Sequence, residues 1–215
     1  MTDDADTEPN LPPPGRILIP LFAIQFFAWS GMFVLWINAY PLITRFVMHA
    51  APANEAAMRQ GLVVISLCFS FYATAAACMA FALPWLIARW GEGWVLGVAL
   101  LFGAAGLASL GFVDRPLWLA PGFAGIAVAW SALSNLPYAI AGSAVHWTRI
   151  SHILRIFSFS TILPQVAVSL GLALFGAVLF GTATQEIMVA GGASMAVGAV
   201  LCLVFRRRLS VAPPP

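Results

Sequence analysis

The chain has 215 residues, of which 61% are hydrophobic and only 8% charged, with a formal net charge of +2. A water-soluble domain carries about 25% charged residues to keep its surface wet, so this composition excludes an ordinary soluble fold. It points to lipid as the solvent. The few basic residues are scattered at the ends of apolar stretches, which leaves no footprint for a nucleic-acid partner.

Taken in chain order, residues 1–15 (MTDDADTEPNLPPPG) are acidic and proline-rich, and are expected to form a disordered tail. This acidic start is unlike the positively charged opening of a signal peptide. Six apolar stretches follow, at about 17–44, 60–87, 94–113, 117–143, 154–180 and 186–205, each long enough to span a bilayer as a helix. We number them helix 1 to helix 6. The reading is an all-α membrane protein: a six-helix transmembrane domain over residues 16–208 and a short disordered tail over 209–215. Pro41, Pro84, Pro121, Pro137 and Pro164 are expected to mark ends or bends.

Orientation follows from the arginines, since the chain has no lysine. Arg16, Arg89, Arg149, Arg155, Arg206, Arg207 and Arg208 fall on one side of the membrane, and Arg45, Arg59 and Arg115 on the other. The arginine-rich side is cytoplasmic by the positive-inside rule, and an even number of spans puts both termini there. Arginine without lysine, together with the abundance of alanine and glycine, fits a GC-rich bacterial genome and hence a bacterial cytoplasmic membrane.

Polar residues are unevenly shared among the helices. In helix 4, Ser131, Ser134, Asn135 and Tyr138 fall on one face, as do Ser158, Thr161, Gln165 and Ser169 in helix 5. Helix 2 carries Ser66, Ser70 and Thr74 at four-residue steps, and helix 1 places Gln25, Trp29, Trp36 and Tyr40 within a narrow arc, with Asn38 on another face. Helices 3 and 6 instead carry small residues suited to close helix packing, among them Gly97, Gly103, Gly106, Gly191, Gly192 and Gly198. An amide in hydrocarbon without a partner costs a few kcal/mol, so Asn135 and Gln165 must face protein or water. Each stripe could bond helix to helix or line a wet cavity.

As cavity residues, Trp29, Trp36 and Tyr138 would stack on a solute ring, and Asn135 and Gln165 would hydrogen-bond its hydroxyls. Asn38, in an Asn-x-Tyr-Pro segment, completes the candidate set. Short matches between Ala28-Trp29-Ser30 and Ala129-Trp130-Ser131, and between Phe69-Ser70-Phe71 and Phe157-Ser158-Phe159, pair helix 1 with 4 and helix 2 with 5, as in a 3+3 inverted repeat.

No nucleophile-elbow, zinc-protease or phosphate-loop motif occurs, so neither an enzyme nor a cofactor is implied. Cys68, Cys78 and Cys202 lie inside apolar stretches without metal-ligand spacing, and are expected to be small buried residues. His146, Arg149, His152 and Arg155 form a basic connection between helices 4 and 5, suited to anionic headgroups.

Leu136-Pro137-Tyr138-Ala139-Ile140, followed by Ile162-Leu163-Pro164-Gln165-Val166 and Ser169-Leu170-Gly171, resembles the tenth and eleventh helices of the major facilitator superfamily. The likeness is to its sucrose and glycoside:cation symporter branches. Leu86-Ile87-Ala88-Arg89-Trp90-Gly91 is similar to that superfamily's short basic loop between helices 8 and 9. The resemblance covers about residues 17–208. It implies the C-terminal half of a twelve-helix sugar-type symporter, in which the helices equivalent to 1, 2, 4 and 5 line the cavity. The sequence departs from the family in placing Ser151 and Arg155 where glycines usually open the eleventh helix, and in having no Asp or Glu inside any span.

The resemblance therefore implies transport of a small polar solute, in company with a second copy of the chain or a separately encoded N-terminal half. The alternative is a non-transporting membrane protein, either a degenerate fragment or a scaffold that binds another membrane protein. The topology is open to a direct check: reporter domains fused to either terminus should both report the cytoplasmic side, and opposite reports would refute an even number of spans.

Overall fold

The computed structural model describes residues 15–49, 54–143, 150–179 and 184–209. Residues 1–14 and 210–215, and the stretch of the basic connection that holds His146 and Arg149, lie outside the described residues, while Gly15 and Leu209, read from the sequence as tail, belong to helices. The described residues form six helices long and apolar enough to cross a membrane, as the composition requires. They are α1 (Gly15–Pro41), α2 (Glu55–Trp90), α3 (Glu92–Leu110), α4 (Leu119–Ser143), α5 (Ile150–Leu179) and α6 (Thr184–Leu209). Among the described residues there is no strand.

Helix ends differ from the hydropathy limits where local chemistry carries the helix past the apolar run. Asn54 caps α2 by accepting a 3.1 Å bond from the Ala57 amide, so α2 begins with Glu55 and Arg59, an exposed pair 3.3 Å apart. At the far end, α6 continues through Arg206, Arg207 and Arg208 to Leu209. Arginine is a good helix former, and positive charge suits a helix C-terminus. Gly91 alone links α2 to α3; its φ of 79° is a conformation that favours glycine, and it allows the chain to reverse at once.

Three of the prolines expected to mark ends or bends lie inside continuous helices. α2, α4 and α5 run through Pro84, Pro137 and Pro164, and Pro121 sits in the first turn of α4, where a missing N–H costs nothing. Pro41 has a visible effect: after it α1 widens into a π-helical turn, Leu42–Val47. Proline cannot donate to a preceding carbonyl, and the Thr44 hydroxyl bonds the Tyr40 carbonyl at 2.7 Å within the disturbed stretch.

In space the helices follow the order α2, α4, α3, α6, α1, α5, each packing chiefly on its neighbours. The α3–α6 and α1–α6 contacts are the most extensive, and α2 and α5 stand at the flanks with most of their surface exposed. Close approach at the centre depends on absent side chains. A Cβ on Gly31 of α1 would lie 2.7 Å from the Gly191 carbonyl oxygen of α6, and one on Gly106 of α3 would lie 2.5 Å from the Gly122 carbonyl oxygen of α4. Two bonds tie α6 to its neighbours α1 and α3: the Ser194 hydroxyl donates to the Phe27 carbonyl at 2.9 Å, and the Cys202 thiol to the Gly93 carbonyl at 3.3 Å. Cys202 is buried as expected, whereas Cys68 is half-buried and Cys78 lies on the exposed surface of α2.

A paired substitution tests this packing. Gly106→Val should lower the unfolding free energy in detergent by about 1–3 kcal/mol, the usual cost of overpacking. Gly171→Val on α5, where an added Cβ meets nothing within 4 Å, should change it far less. Equal effects would contradict the packing described.

Candidate functional site

An aromatic cluster joins α1, α4 and α2. Trp29 of α1 is buried, with its ring centre 5.4 Å from Trp130 of α4, 5.9 Å from Phe33 and 6.1 Å from Trp36. Trp36 also meets Trp130 at 5.3 Å, and Tyr72 of α2 joins through Trp130 at 6.1 Å. Most of these contacts are edge-to-face, which aromatic quadrupoles favour. On the α5 side, Phe157 wedges between α1 and α4, with its ring 5.4 Å from Phe22 and 5.2 Å from Tyr138.

Beside this cluster lies a cavity of about 470 Å³ between α1 and α5. One wall is apolar and aromatic, made by Trp29, Phe33, Trp36 and Ile37; the other is polar, made by Thr161, Gln165 and Ser169. No charged side chain lines it. Among the described residues, no three of the His, Cys, Asp and Glu side chains are grouped so that they could hold a metal ion.

The six residues selected from sequence are placed unequally. Trp29, Trp36 and Gln165 meet in the cavity. Tyr138 approaches its rim from α4, with its hydroxyl 3.4 Å from the Thr161 hydroxyl. Asn135 is exposed, and its amide bonds the Ser131 carbonyl one turn back at 2.7 Å. Asn38 is buried, bonds the Val34 carbonyl at 3.0 Å in the same manner, and is not among the lining residues. An asparagine can satisfy its amide on its own helix, so its presence in a span does not fix which way the helix faces.

The polar stripes on the flanking helices are exposed: Ser66, Ser70 and Thr74 on α2, and Ser158, Gln165 and Ser169 on α5. Ser66 and Thr74 bond carbonyls of their own helix, so neither stripe residue ties α2 to a neighbouring helix through these bonds.

Sequence reasoning did not select several residues that the fold makes prominent. Gln25 is fully buried, yet neither its amide oxygen nor its amide nitrogen has a hydrogen-bond partner on the protein. The same holds for Trp29 Nε1, the Tyr72 hydroxyl, Ser131 Oγ and Ser134 Oγ. All of these belong to α1, α2 and α4. Gln25 shares the Trp29–Trp36 arc, so its position was readable from helical spacing; its burial was not. Trp130 was marked in the sequence only by its Ala-Trp-Ser match to Trp29, and Tyr72 and Phe33 carried no signal beyond being aromatic.

Buried polar groups are almost always hydrogen-bonded, to protein or to water. A cavity with an aromatic wall and an amide–hydroxyl wall is suited chemically to an uncharged ligand with an apolar ring face and hydroxyl edges.

Compared with protein-family models and with curated proteins, the chain matches none.

The orphaned amide has a measurable consequence. Gln25→Leu should raise the unfolding free energy by about 1–3 kcal/mol, since the substitution removes a buried group that lacks a protein partner. A marked loss of stability would show that Gln25 is bonded within the folded protein.

Proposed function

We propose that the chain is one six-helix half of a membrane transporter of the major facilitator type, carrying a small uncharged polar solute such as a sugar. In this reading it works by alternating access together with a second six-helix half, either another copy of the chain or a separately encoded partner. It resides in a bacterial cytoplasmic membrane with both termini inside. The observation that carries the reading is the cavity between α1 and α5, whose indole wall faces Thr161, Gln165 and Ser169 inside helices apolar enough to span a bilayer. Polar groups at that depth are costly and mark solute paths in membrane proteins.

The packing pattern supports a 3+3 repeat. Exchanging α1 with α4, α2 with α5 and α3 with α6 turns the α1–α6 contact into α4–α3 and the α2–α4 contact into α5–α1, and returns α3–α6 to itself. Trp29 and Trp130, which occupy matching Ala-Trp-Ser segments, meet each other at 5.4 Å under the same exchange. Transporters built on such repeats bind solute where the repeats meet.

The mechanism follows from the two walls. Trp29 and Trp36 cover the apolar face of the ring, while Gln165 and Ser169 exchange hydrogen bonds with hydroxyls that leave water. The exposed stripes of α2 and α5 face the second half across the path. The carboxylates of the described spans, Glu55, Glu92 and Glu186, all sit in first turns at helix ends, so any coupling to a proton or sodium gradient falls to the partner.

Uptake of labelled sugars into proteoliposomes, with the chain alone and with an N-terminal-type half added, tests this reading. Uptake should appear in one of the two conditions. Gln165→Leu should then raise the half-saturating concentration roughly three- to tenfold, the value of one lost hydrogen bond. No uptake in either condition, across sugars and polyols, would leave the non-transporting reading.

A further inference from the structure

A second concave feature lies away from the proposed solute cavity. Between α2, α3 and α4 runs a groove of about 290 Å³, lined by Met79, Leu86, Val98, Phe102 and Val128. It starts at the turn joining α2 to α3, where Trp90 and Trp94 line its mouth. From Trp90 inward to Met79 it follows α2 for eleven residues, about 16 Å at 1.5 Å per residue. That shape accepts an extended hydrocarbon chain entering from the membrane interface.

The mouth supplies the complementary charge. The Arg206 guanidinium lies over the Trp94 ring, 5.4 Å from its centre. The end of α6 is held there by close packing, since a Cβ on Gly93 would sit 2.8 Å from the Arg206 carbonyl oxygen. Arg89, Arg207 and Arg208 are exposed at the same end of the bundle, and Glu92 is the one carboxylate there among the described residues. Tryptophans at headgroup level with arginines beside them are the usual surroundings of an anionic headgroup.

A second apolar groove, between α1, α5 and α6, provides an internal comparison. Val168, Leu172, Phe175, Ile187 and Ala190 line it. No tryptophan lines it, and α6 begins beside it with Thr184, Gln185 and Glu186 in place of an arginine run. The two grooves thus share apolar walls and differ in the charge at their ends.

We propose that the α2–α3–α4 groove is a binding site for an anionic phospholipid, with one acyl chain along the groove and the phosphate among the arginines at the Trp90–Trp94 mouth. The headgroup fixes the lipid by charge, and the groove adds apolar contact that a freely diffusing lipid lacks. The site is independent of solute transport and stands whether or not the α1–α5 cavity carries a sugar.

Native mass spectrometry of the purified full chain tests it, with phosphatidylglycerol and phosphatidylcholine of identical acyl chains added in competition. Phosphatidylglycerol should be retained in preference. Arg89→Gln, at an exposed position whose replacement leaves the fold intact, should cut that preference roughly fivefold, the value of one arginine near a charged headgroup. Val98→Trp should block the groove and abolish retention of the bound lipid. Val168→Trp, in the uncharged groove, should leave it unchanged. Equal retention of the two lipids, retention that survives Val98→Trp, or full competition by soluble glycerol phosphate alone would each overturn the proposal.

Discussion

The bundle depends on how closely α6 approaches α1 and α3. Lipid offers no hydrophobic force to press helices together, so their association rests on van der Waals contact and a few hydrogen bonds. Here both are concentrated at one side: Gly31 against Gly191, Gly192 against Ala104, and the Ser194 hydroxyl on the Phe27 carbonyl. With α1, α3 and α6 drawn together by backbone contact, α4 completes the packed centre against α3. α2 and α5 are left as flanks, each held along one side only.

That arrangement decides where polar groups can go. At the points where backbones meet in the packed centre, α3 and α6 carry glycine and alanine, and leucines and methionines fill the space between those points. The opposite side, built by α1 and α4 and edged by α2 and α5, holds the large aromatics and the amides. Interlocking indoles from α1 and α4 keep that side from collapsing, because Trp29, Trp36 and Trp130 brace one another edge to face. The cavity beside Gln165 persists for the same reason: the rings that form its wall are already committed to each other.

Much of this was legible in the sequence. Hydropathy located all six spans, and the small residues of helices 3 and 6 pointed to close packing there, without showing that α1 and α4 would be their partners. Boundaries were less legible, because capping by Asn54 and the helix-forming arginines of α6 act outside the apolar runs. The candidate site was half legible. Trp29, Trp36 and Gln165 share a face only once α1 and α5 are adjacent, and spacing along single helices supports that without fixing it. Asn38 and Asn135 show the limit of reading polar residues singly, since each amide closes on its own helix. Gln25 shows the converse: its position on the Trp29 arc was visible, but its burial without a partner emerges only from the packing of whole helices around it.

The central claim is that the face bearing the polar stripes is wet while other exposed faces meet lipid. Cysteine accessibility measures this directly, in a background with Cys68, Cys78 and Cys202 replaced. A membrane-impermeant maleimide should label Asn135→Cys, Gln165→Cys and Ser169→Cys. It should leave Leu163→Cys, Leu174→Cys and Val204→Cys unlabelled, although those positions are exposed too. Labelling of the first group no faster than the second would contradict the account and reduce the polar stripes to helix-internal bonding.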